Sequence, residues 1–273
     1  MFGMSHRIQP AFPRNIRAPL NLKWIKYFFD DPIELFKKGV EKMEEENSLT
    51  TEERYHLAMK SYFEANELSL GPWASRTFFD DPKHISFRLA RYKFCSKMLE
   101  GKKNVLEIGC GDGLGIPIVA QTVEHLHCVD WDMRNIEGCA RRLNWLKNVT
   151  YECVDFNKSH VQTRVDAVYS IDLIEHLELT SESKFMENVL KSLNVHGILI
   201  TGTPNISAIQ YASKASSIHH INLKSQKTLR ELMDRYFWNT FIFGMNDEVV
   251  HTGFSEMCHY IWSISVGIRP DHV

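Results

Sequence analysis

The sequence predicts an α/β fold built around a mainly parallel sheet, with a region of helices ahead of it. From residue 104 onward, short apolar runs alternate with amphipathic stretches, the pattern of strands and the helices that cover them. The first four runs are rich in Val, Ile and Leu and carry little charge, as strands covered on both faces should be. Residues 1–100 show helical periodicity after several early prolines. We therefore expect a helical cap or lid over residues 1–100 and an α/β domain over residues 101–273.

The elements follow from the same patterns, taken in chain order. The N-terminal region has helical periodicity over 33–46, 51–68 and 84–99. The predicted strands are 104–108, 125–130, 149–154, 165–171, 197–203, 238–243 and 257–264. The helices predicted between them are 114–122, 133–145, 181–192 and 225–236.

Composition excludes several classes of protein. The 273 residues carry 32 basic and 34 acidic side chains, a net charge of −2, so no strong field draws the chain onto nucleic acid. The longest apolar runs are strand-sized, far below the roughly 20 residues that a bilayer span needs, and the N-terminus lacks the apolar core of a signal peptide. The six cysteines form no C-x-x-C pair. We expect a cytoplasmic protein with reduced thiols that acts on a small molecule, binds no nucleic acid and spans no membrane, and we leave a homodimer open.

The strongest signal is a glycine loop that follows the first predicted strand, in Val105–Gly113 (VLEIGCGDG). Glycines at alternate positions let the chain turn sharply and bring its backbone close to a ligand. The dinucleotide fingerprint G-x-G-x-x-G fails because Leu114 takes the place of its third glycine, which argues against an NAD-linked oxidoreductase. The phosphate loop G-x-x-x-x-G-K-[ST] is absent from the sequence.

With Glu107 ahead of a G-x-G-x-G loop, this segment closely resembles motif I of the class I S-adenosylmethionine-dependent methyltransferases. That cofactor carries an ammonium, a sulfonium and no phosphate, so an acidic loop suits it. The resemblance covers residues 104–264 and includes a T-P-N segment at 203–205, although Val195-His196 stand where the family usually has Pro-Gly. It implies a Rossmann-like sheet of seven strands, the last one antiparallel, and places the chain near the ubiquinone-biosynthesis O-methyltransferases.

The same resemblance assigns the cofactor contacts. It has Asp130 accept both ribose hydroxyls with Trp131 against the adenine, and Asp155 take the adenine amino group with Phe156 beside the ring. A helix N-cap or a turn is the alternative for each aspartate. An arginine before motif I would hold the cofactor carboxylate; we favour Arg88, with Arg76 and Arg91 as rivals. The expected cofactor residues are Arg88, Glu107, Gly109, Cys110, Gly111, Gly113, Asp130, Trp131, Asp155, Phe156 and Ser170.

The segment after the fourth strand, Ser170–Leu177, is similar to the E-x-x-E-H segment of those O-methyltransferases, with Asp172 in place of the first Glu. If it turns helically, Asp172, Glu175 and His176 share a face and offer a site for magnesium or manganese. The alternative is a metal-free pocket in which His176 is a base or a hydrogen-bond partner. His220 is a second candidate for the catalytic base, favoured over its neighbour His219.

The function predicted from these features is methyl transfer from S-adenosylmethionine to an oxygen or nitrogen of a small metabolite. Candidate acceptors are a quinone precursor or other phenol, a sugar, or an amino-alcohol phosphate. The alternatives are a module that binds S-adenosylmethionine without catalysis, and an RNA or protein methyltransferase. The absence of a basic patch and of an N-P-P-Y type tetrad argues against methylation of nucleic acid.

Overall fold

The computed structural model describes residues 49–63, 67–211 and 218–272. The chain divides into two compact units between Glu67 and Leu68. In the first, helix α1 spans Thr51–Phe63 and begins with reciprocal hydrogen bonds, since the Thr50 amide donates to Glu53 and the Glu53 amide donates to Thr50. The helix predicted over 33–46 lies outside the described residues, and the assignment of residues 1–100 as a cap stays a prediction.

The second unit contains a sheet of eight strands with helices before and between them. Its helices are α2 (Pro72–Asp80), α3 (His84–Met98), α4 (Ile116–Ala120), α5 (Met133–Arg142), α6 (Glu182–Ser192) and α7 (Gln226–Asp234). Its strands are β1 (Asn104–Ile108), β2 (His125–Asp130), β3 (Val149–Cys153), β4 (Val165–Ile171), β5 (Leu193–Pro204), β6 (Phe237–Asn246), β7 (Val249–His251) and β8 (Tyr260–Ile268).

The strand order is β3-β2-β1-β4-β5-β8-β6-β7. The first five strands in this order run parallel, and β8 lies antiparallel between β5 and β6. The predicted Rossmann-like fold with an antiparallel last strand is thereby confirmed. The sheet has one strand more than expected. The chain turns after β6 at Asp247, which has φ 50°, and the short strand β7 then pairs with the end of β6.

Helices cover both faces of the sheet, which explains the low charge of the central strands. Alternate side chains of β1 point to opposite faces, so that Leu106 joins a core with α6 and α7 while Val105 joins a core with α3, α4 and α5. This arrangement leaves the carboxyl ends of β1, β2 and β4 at one edge, where an open α/β sheet of this kind binds its ligands.

Neither a membrane-spanning helix nor a disulfide is found in the part of the chain that the structure describes. Five of the six cysteines are buried as free thiols, and Cys153 is exposed.

Candidate cofactor site and active site

The glycine loop follows the end of β1 and has the backbone conformation for which its glycines are needed. The φ angles of Gly109, Gly111 and Gly113 are 80°, 54° and 75°, in the left-handed region that strains other residues. The amides of Gly109 and Cys110 both donate to the carbonyl of Val129, at 2.9 and 3.0 Å. The loop is therefore fixed to the end of β2.

Asp130, the last residue of β2, is held beside this loop by two backbone donors. Its Oδ2 accepts from the Gly111 amide at 2.9 Å, and its Oδ1 accepts from the Asp132 amide at 2.9 Å. Each carboxylate oxygen can accept a further hydrogen bond, so the pair of ribose bonds expected of Asp130 is chemically open. The neighbouring indole of Trp131 is 70% exposed and free to lie against a ring.

Glu107 lies beneath the loop, in the core on the α3–α5 side of the sheet. Its side chain is fully buried, and the Cys128 thiol donates to its Oε2 at 3.6 Å. Burial raises the pKa of Glu107 to about 7, and the charge of Asp130 adds to the effect. Cys110 of the loop and Ser170 of β4 are buried as well.

Asp155 and Phe156 follow β3, but only the aspartate stays near the surface. The carboxylate of Asp155 accepts from the Asn157 amide at 3.0 Å and pairs with Lys158 at 2.8 Å, as a turn aspartate does. Phe156 is 4% exposed, and its ring packs against Phe185 at 6.3 Å. The ring of Phe156 is therefore buried in the core and does not lie at the surface beside Trp131.

The structure distinguishes two of the three arginines considered for the cofactor carboxylate. Arg88 is half-buried and donates from Nη1 to the Thr77 hydroxyl of α2 at 3.3 Å. Arg91, three residues further along α3, is buried, and its Nη1 lies 2.6 Å from Oδ2 of Asp172. Its guanidinium also lies over the ring of Tyr260, 3.9 Å from the centroid. Arg91 therefore contacts the segment after β4, whereas Arg88, the residue favoured from the sequence, contacts α2.

The predicted metal face of Asp172, Glu175 and His176 is wrong in its first member. Asp172 has φ 53° and precedes a short 3-10 turn, Ile174–His176, so the three residues do not lie on one helical face. Its carboxylate is also paired with Arg91. Within the described ranges, the ligand atoms that converge to within 4.8 Å of one another belong to Glu175, His176 and His220.

Glu175 is the most buried member of this cluster. Its Oε2 accepts from the Thr203 hydroxyl at 2.9 Å, while its Oε1 lies 4.0 Å from Nε2 of His176. Burial raises the pKa of Glu175 to about 8, and the charge of Asp172 adds to the effect.

The two histidines of the cluster are brought together by the segment 219–222, which crosses over the 3-10 turn. Nδ1 of His176 lies 3.0 Å from the carbonyl oxygen of His219, and the Asn222 amide donates to the carbonyl of Glu175 at 3.0 Å. Since a carbonyl only accepts, Nδ1 of His176 carries the proton, and Nε2 of the neutral ring holds the lone pair. The ring of His220 stands edge-on to that of His176 with the ring centroids 5.1 Å apart, and burial lowers the pKa of His220.

The segment that leads from β4 into this cluster lies against the glycine loop. A Cβ built on Gly109 would come within 3.1 Å of Cδ1 of Leu173, so the segment after β4 packs directly on the loop. Four neighbouring buried atoms find no hydrogen-bond partner among the described residues: Arg91 Nε, Asp172 Oδ1, Glu175 Oε1 and the Tyr260 hydroxyl. A buried polar atom without a partner costs about 1–3 kcal/mol, so the cluster suits a polar ligand that supplies the missing partners.

Sequence reasoning missed a contact that ties α2 to the loop. Oδ2 of Asp112, a buried residue within the glycine loop, accepts from the Ala74 amide in the first turn of α2 at 2.7 Å. Trp73 lies over the loop, with Cζ3 of its indole 3.0 Å from the position of a Cβ on Gly111. The G-D-G sequence was the available signal, since a buried acidic side chain is a natural partner for a helix N-terminus.

Comparison with known proteins adds to this geometry. Residues 105–197 match the family model of a methyltransferase domain. A probable S-adenosylmethionine-dependent methyltransferase of Mycolicibacterium smegmatis is 26% identical over 109 residues, which are 38% of each chain. A probable S-adenosylmethionine-dependent methyltransferase of Mycobacterium tuberculosis is 26% identical over 103 residues, 38% of this chain and 36% of the relative. The chain thus matches less than two fifths of the length of these curated relatives.

Solved structures share the fold at low sequence identity. The N-methyltransferase NodS from Bradyrhizobium japonicum WM9, in complex with S-adenosyl-L-homocysteine, is 17% identical with a TM-score of 0.52, covering 76% of this chain and 94% of NodS. The methyltransferase domain of bacterial CtHen1 is 17% identical with a TM-score of 0.54, covering 66% of this chain and 99% of that domain. At this identity the likeness concerns the fold.

Proposed function

We propose that the chain transfers a methyl group from S-adenosylmethionine to an oxygen or nitrogen of a small metabolite. The match of residues 105–197 to a methyltransferase domain and the fold shared with solved methyltransferases support this proposal. The observation that carries this proposal is the packing of Leu173 on Gly109, which brings the segment leading to the polar cluster of Glu175, His176 and His220 against the glycine loop. The acceptors considered are a quinone precursor or other phenol, a sugar, and an amino-alcohol phosphate.

The cofactor is held mainly by the loop and by the end of β2. The glycine backbone approaches the cofactor where a side chain would block it, and Asp130 accepts the ribose hydroxyls. Trp131 offers its exposed face to the adenine. Arg91, in place of Arg88, is the arginine closest to the polar cluster, and its unpartnered Nε is available to an anionic or polar group there.

His176 acts as the general base in this proposal. Its Nε2 takes the proton from the acceptor hydroxyl or amine as the acceptor atom attacks the sulfonium methyl in line. The bond from methyl to sulfur breaks, its electron pair stays on sulfur, and the product is neutral S-adenosylhomocysteine. The hydrogen bond from Nδ1 to the carbonyl of His219 fixes the ring for this role, and the pKa of the neighbouring His220 is lowered by burial.

The test measures transfer of a labelled methyl group to a panel of phenols, sugars and amino-alcohol phosphates. His176→Gln should lose at least a hundredfold in rate, the usual size of a lost general base, while keeping its affinity for S-adenosylhomocysteine. His196→Gln is the matched control, because His196 is exposed and lies on β5 away from the cluster. Binding without transfer to any acceptor would leave a non-catalytic module, and transfer to RNA or protein alone would contradict the small-molecule assignment.

A second candidate is a metal-dependent version of the same reaction, favoured by the convergence of Glu175, His176 and His220. One carboxylate and two imidazoles suit manganese, iron or zinc better than magnesium, which prefers oxygen ligands. A bound cation would lower the pKa of an acceptor hydroxyl. Equilibrium dialysis with manganese and zinc, compared between the natural chain and His220→Gln, tests it directly. Full activity in chelator together with no bound metal would rule it out.

A further inference from the structure

We infer that the chain has a second binding site, for a nucleotide or a similar phosphate ester, in a cleft between α2 and α5. The cleft has a volume of about 470 Å³, and its walls include Trp73 of α2, Asp132, and Arg134, Arg141 and Arg142 of α5. None of the residues that line it belongs to the cluster of Glu175, His176 and His220. The cleft adjoins the glycine loop, because Trp73 also lies over Gly111, but the inference does not depend on the proposed methyl transfer.

The charges around the cleft are unbalanced. Arg134 and Asp132 neutralise each other, with Nη2 of the arginine 2.5 Å from Oδ2 of the aspartate. Arg142 donates from Nη2 to the backbone carbonyl of Asp112 at 2.7 Å. Because this acceptor is a neutral carbonyl, the bond does not neutralise the charge of the guanidinium. Arg141 is exposed and makes no ion pair within the described part of the chain. Two guanidinium charges therefore remain for an anion.

A glycine one turn earlier leaves room for the side chain of Arg142. A Cβ on Gly138 would come within 2.9 Å of Nη1 of Arg142, so the guanidinium lies back over the helix where the glycine leaves room. Glycine inside a helix costs about 1 kcal/mol relative to alanine, and Gly138 has no left-handed φ to account for its use. The hydrogen bond to Asp112 then fixes the end of the side chain, so that little entropy is lost when an anion binds.

The chemistry of the walls indicates the ligand class. A planar guanidinium binds the oxygens of an oxyanion in pairs, which a single halide cannot match, and two neighbouring guanidinium charges favour a phosphate group with more than one negative charge. Trp73 adds an indole that is 56% exposed on the opposite wall, a surface on which a base or sugar ring can stack. The volume lies within the usual range of small-molecule sites, roughly 300–1,000 Å³. A phosphate ester with an attached ring would contact both the arginines and Trp73, whereas inorganic pyrophosphate would contact only the arginines.

The experiment is calorimetry on the full chain with uridine diphosphate and pyrophosphate at low ionic strength. We expect saturable binding of both, with the nucleotide tighter. Arg141→Gln should weaken both at least tenfold, about 1.4 kcal/mol, while S-adenosylhomocysteine binding and thermal unfolding stay unchanged. Lys147→Gln is the control for a lost surface charge, since Lys147 is exposed and its Nζ donates to the backbone carbonyl of Asn144 at 3.1 Å, outside the cleft.

Three outcomes would overturn the inference. They are no saturable binding by the natural chain, equal affinities for the natural chain and Arg141→Gln, and loss of nucleotide binding when S-adenosylhomocysteine saturates the protein, which would place the anion in the cofactor site. Trp73→Ala separates the two probes, because it should weaken the nucleotide more than pyrophosphate. Each readout stands whether or not the chain transfers methyl groups, since S-adenosylhomocysteine binding is measured separately.

Discussion

Replacing Asp112 with alanine removes the carboxylate that caps α2 from the glycine loop. The Ala74 amide lies in the first turn of that helix, where no helical carbonyl reaches it, and the N-cap residue Gly71 has no side chain to accept its proton. Losing a cap costs about 1 kcal/mol, and leaving the buried amide without a partner adds roughly 1 kcal/mol more. We expect Asp112→Ala to lower the free energy of unfolding by about 2 kcal/mol.

Denaturant unfolding of the full chain measures this loss, and two further variants identify its cause. Asp112→Asn keeps an oxygen that can accept from the Ala74 amide, so it should lose less than half as much. Asp80→Ala removes an exposed carboxylate at the other end of α2, where it pairs with Arg76, and should cost at most about 1 kcal/mol. The reasoning is refuted if Asp112→Ala is no less stable than Asp80→Ala. Equal losses for the alanine and asparagine variants would assign the effect to charge instead of the cap.

Three further predictions concern single side chains. Asp130→Ala should weaken S-adenosylmethionine binding at least tenfold in calorimetry, and an unchanged affinity would contradict the ribose assignment. Glu107→Gln should become more stable relative to the natural chain as pH rises from about 4.5 to 7, by up to about 3 kcal/mol, because the folded state alone resists ionisation of the buried acid whose pKa is raised to about 7. A difference that stays flat with pH in denaturant unfolding would refute this. Arg91→Met should cost roughly 3 kcal/mol by leaving Asp172 unpaired, and adding Asp172→Asn should recover much of that loss in a double-mutant cycle.

The central strands of the sheet were predictable because they are buried on both faces and therefore read as apolar runs. The limits of β1, β2 and β4 agree with the prediction. The ends of the chain's other elements shifted where tertiary contacts compete with local pattern: β8 begins at Tyr260 instead of residue 257, because Ser255–Met257 forms a 3-10 turn. The three-residue strand β7 was missed, since its pairing depends on the turn at Asp247 and on the end of β6.

The candidate site divides in the same way. The glycine loop could be predicted because its residues are contiguous and its backbone conformation needs glycine. Asp130 could be predicted because it is the last residue of an apolar strand. Phe156 follows a similar local pattern to Trp131, yet its ring faces the core and the indole faces solvent. The magnesium or manganese site predicted at Asp172, Glu175 and His176 assumed a helix that starts at Asp172, whereas that residue has a left-handed φ and its carboxylate is paired with Arg91.

The sequence alone determined the α/β architecture, the glycine loop and the acid at the end of β2, because each depends on burial or backbone conformation within a few neighbouring residues. Only the tertiary structure decided which arginine meets Asp172, 81 positions away, which ring nitrogen of His176 is free, and where Asp112 is used. The contact of Arg91 depends on which side of α3 faces the sheet. The contact of His176 depends on how the segment 219–222 crosses the 3-10 turn after β4. Packing of the whole unit settles both, and residues distant in the chain meet only once that packing exists.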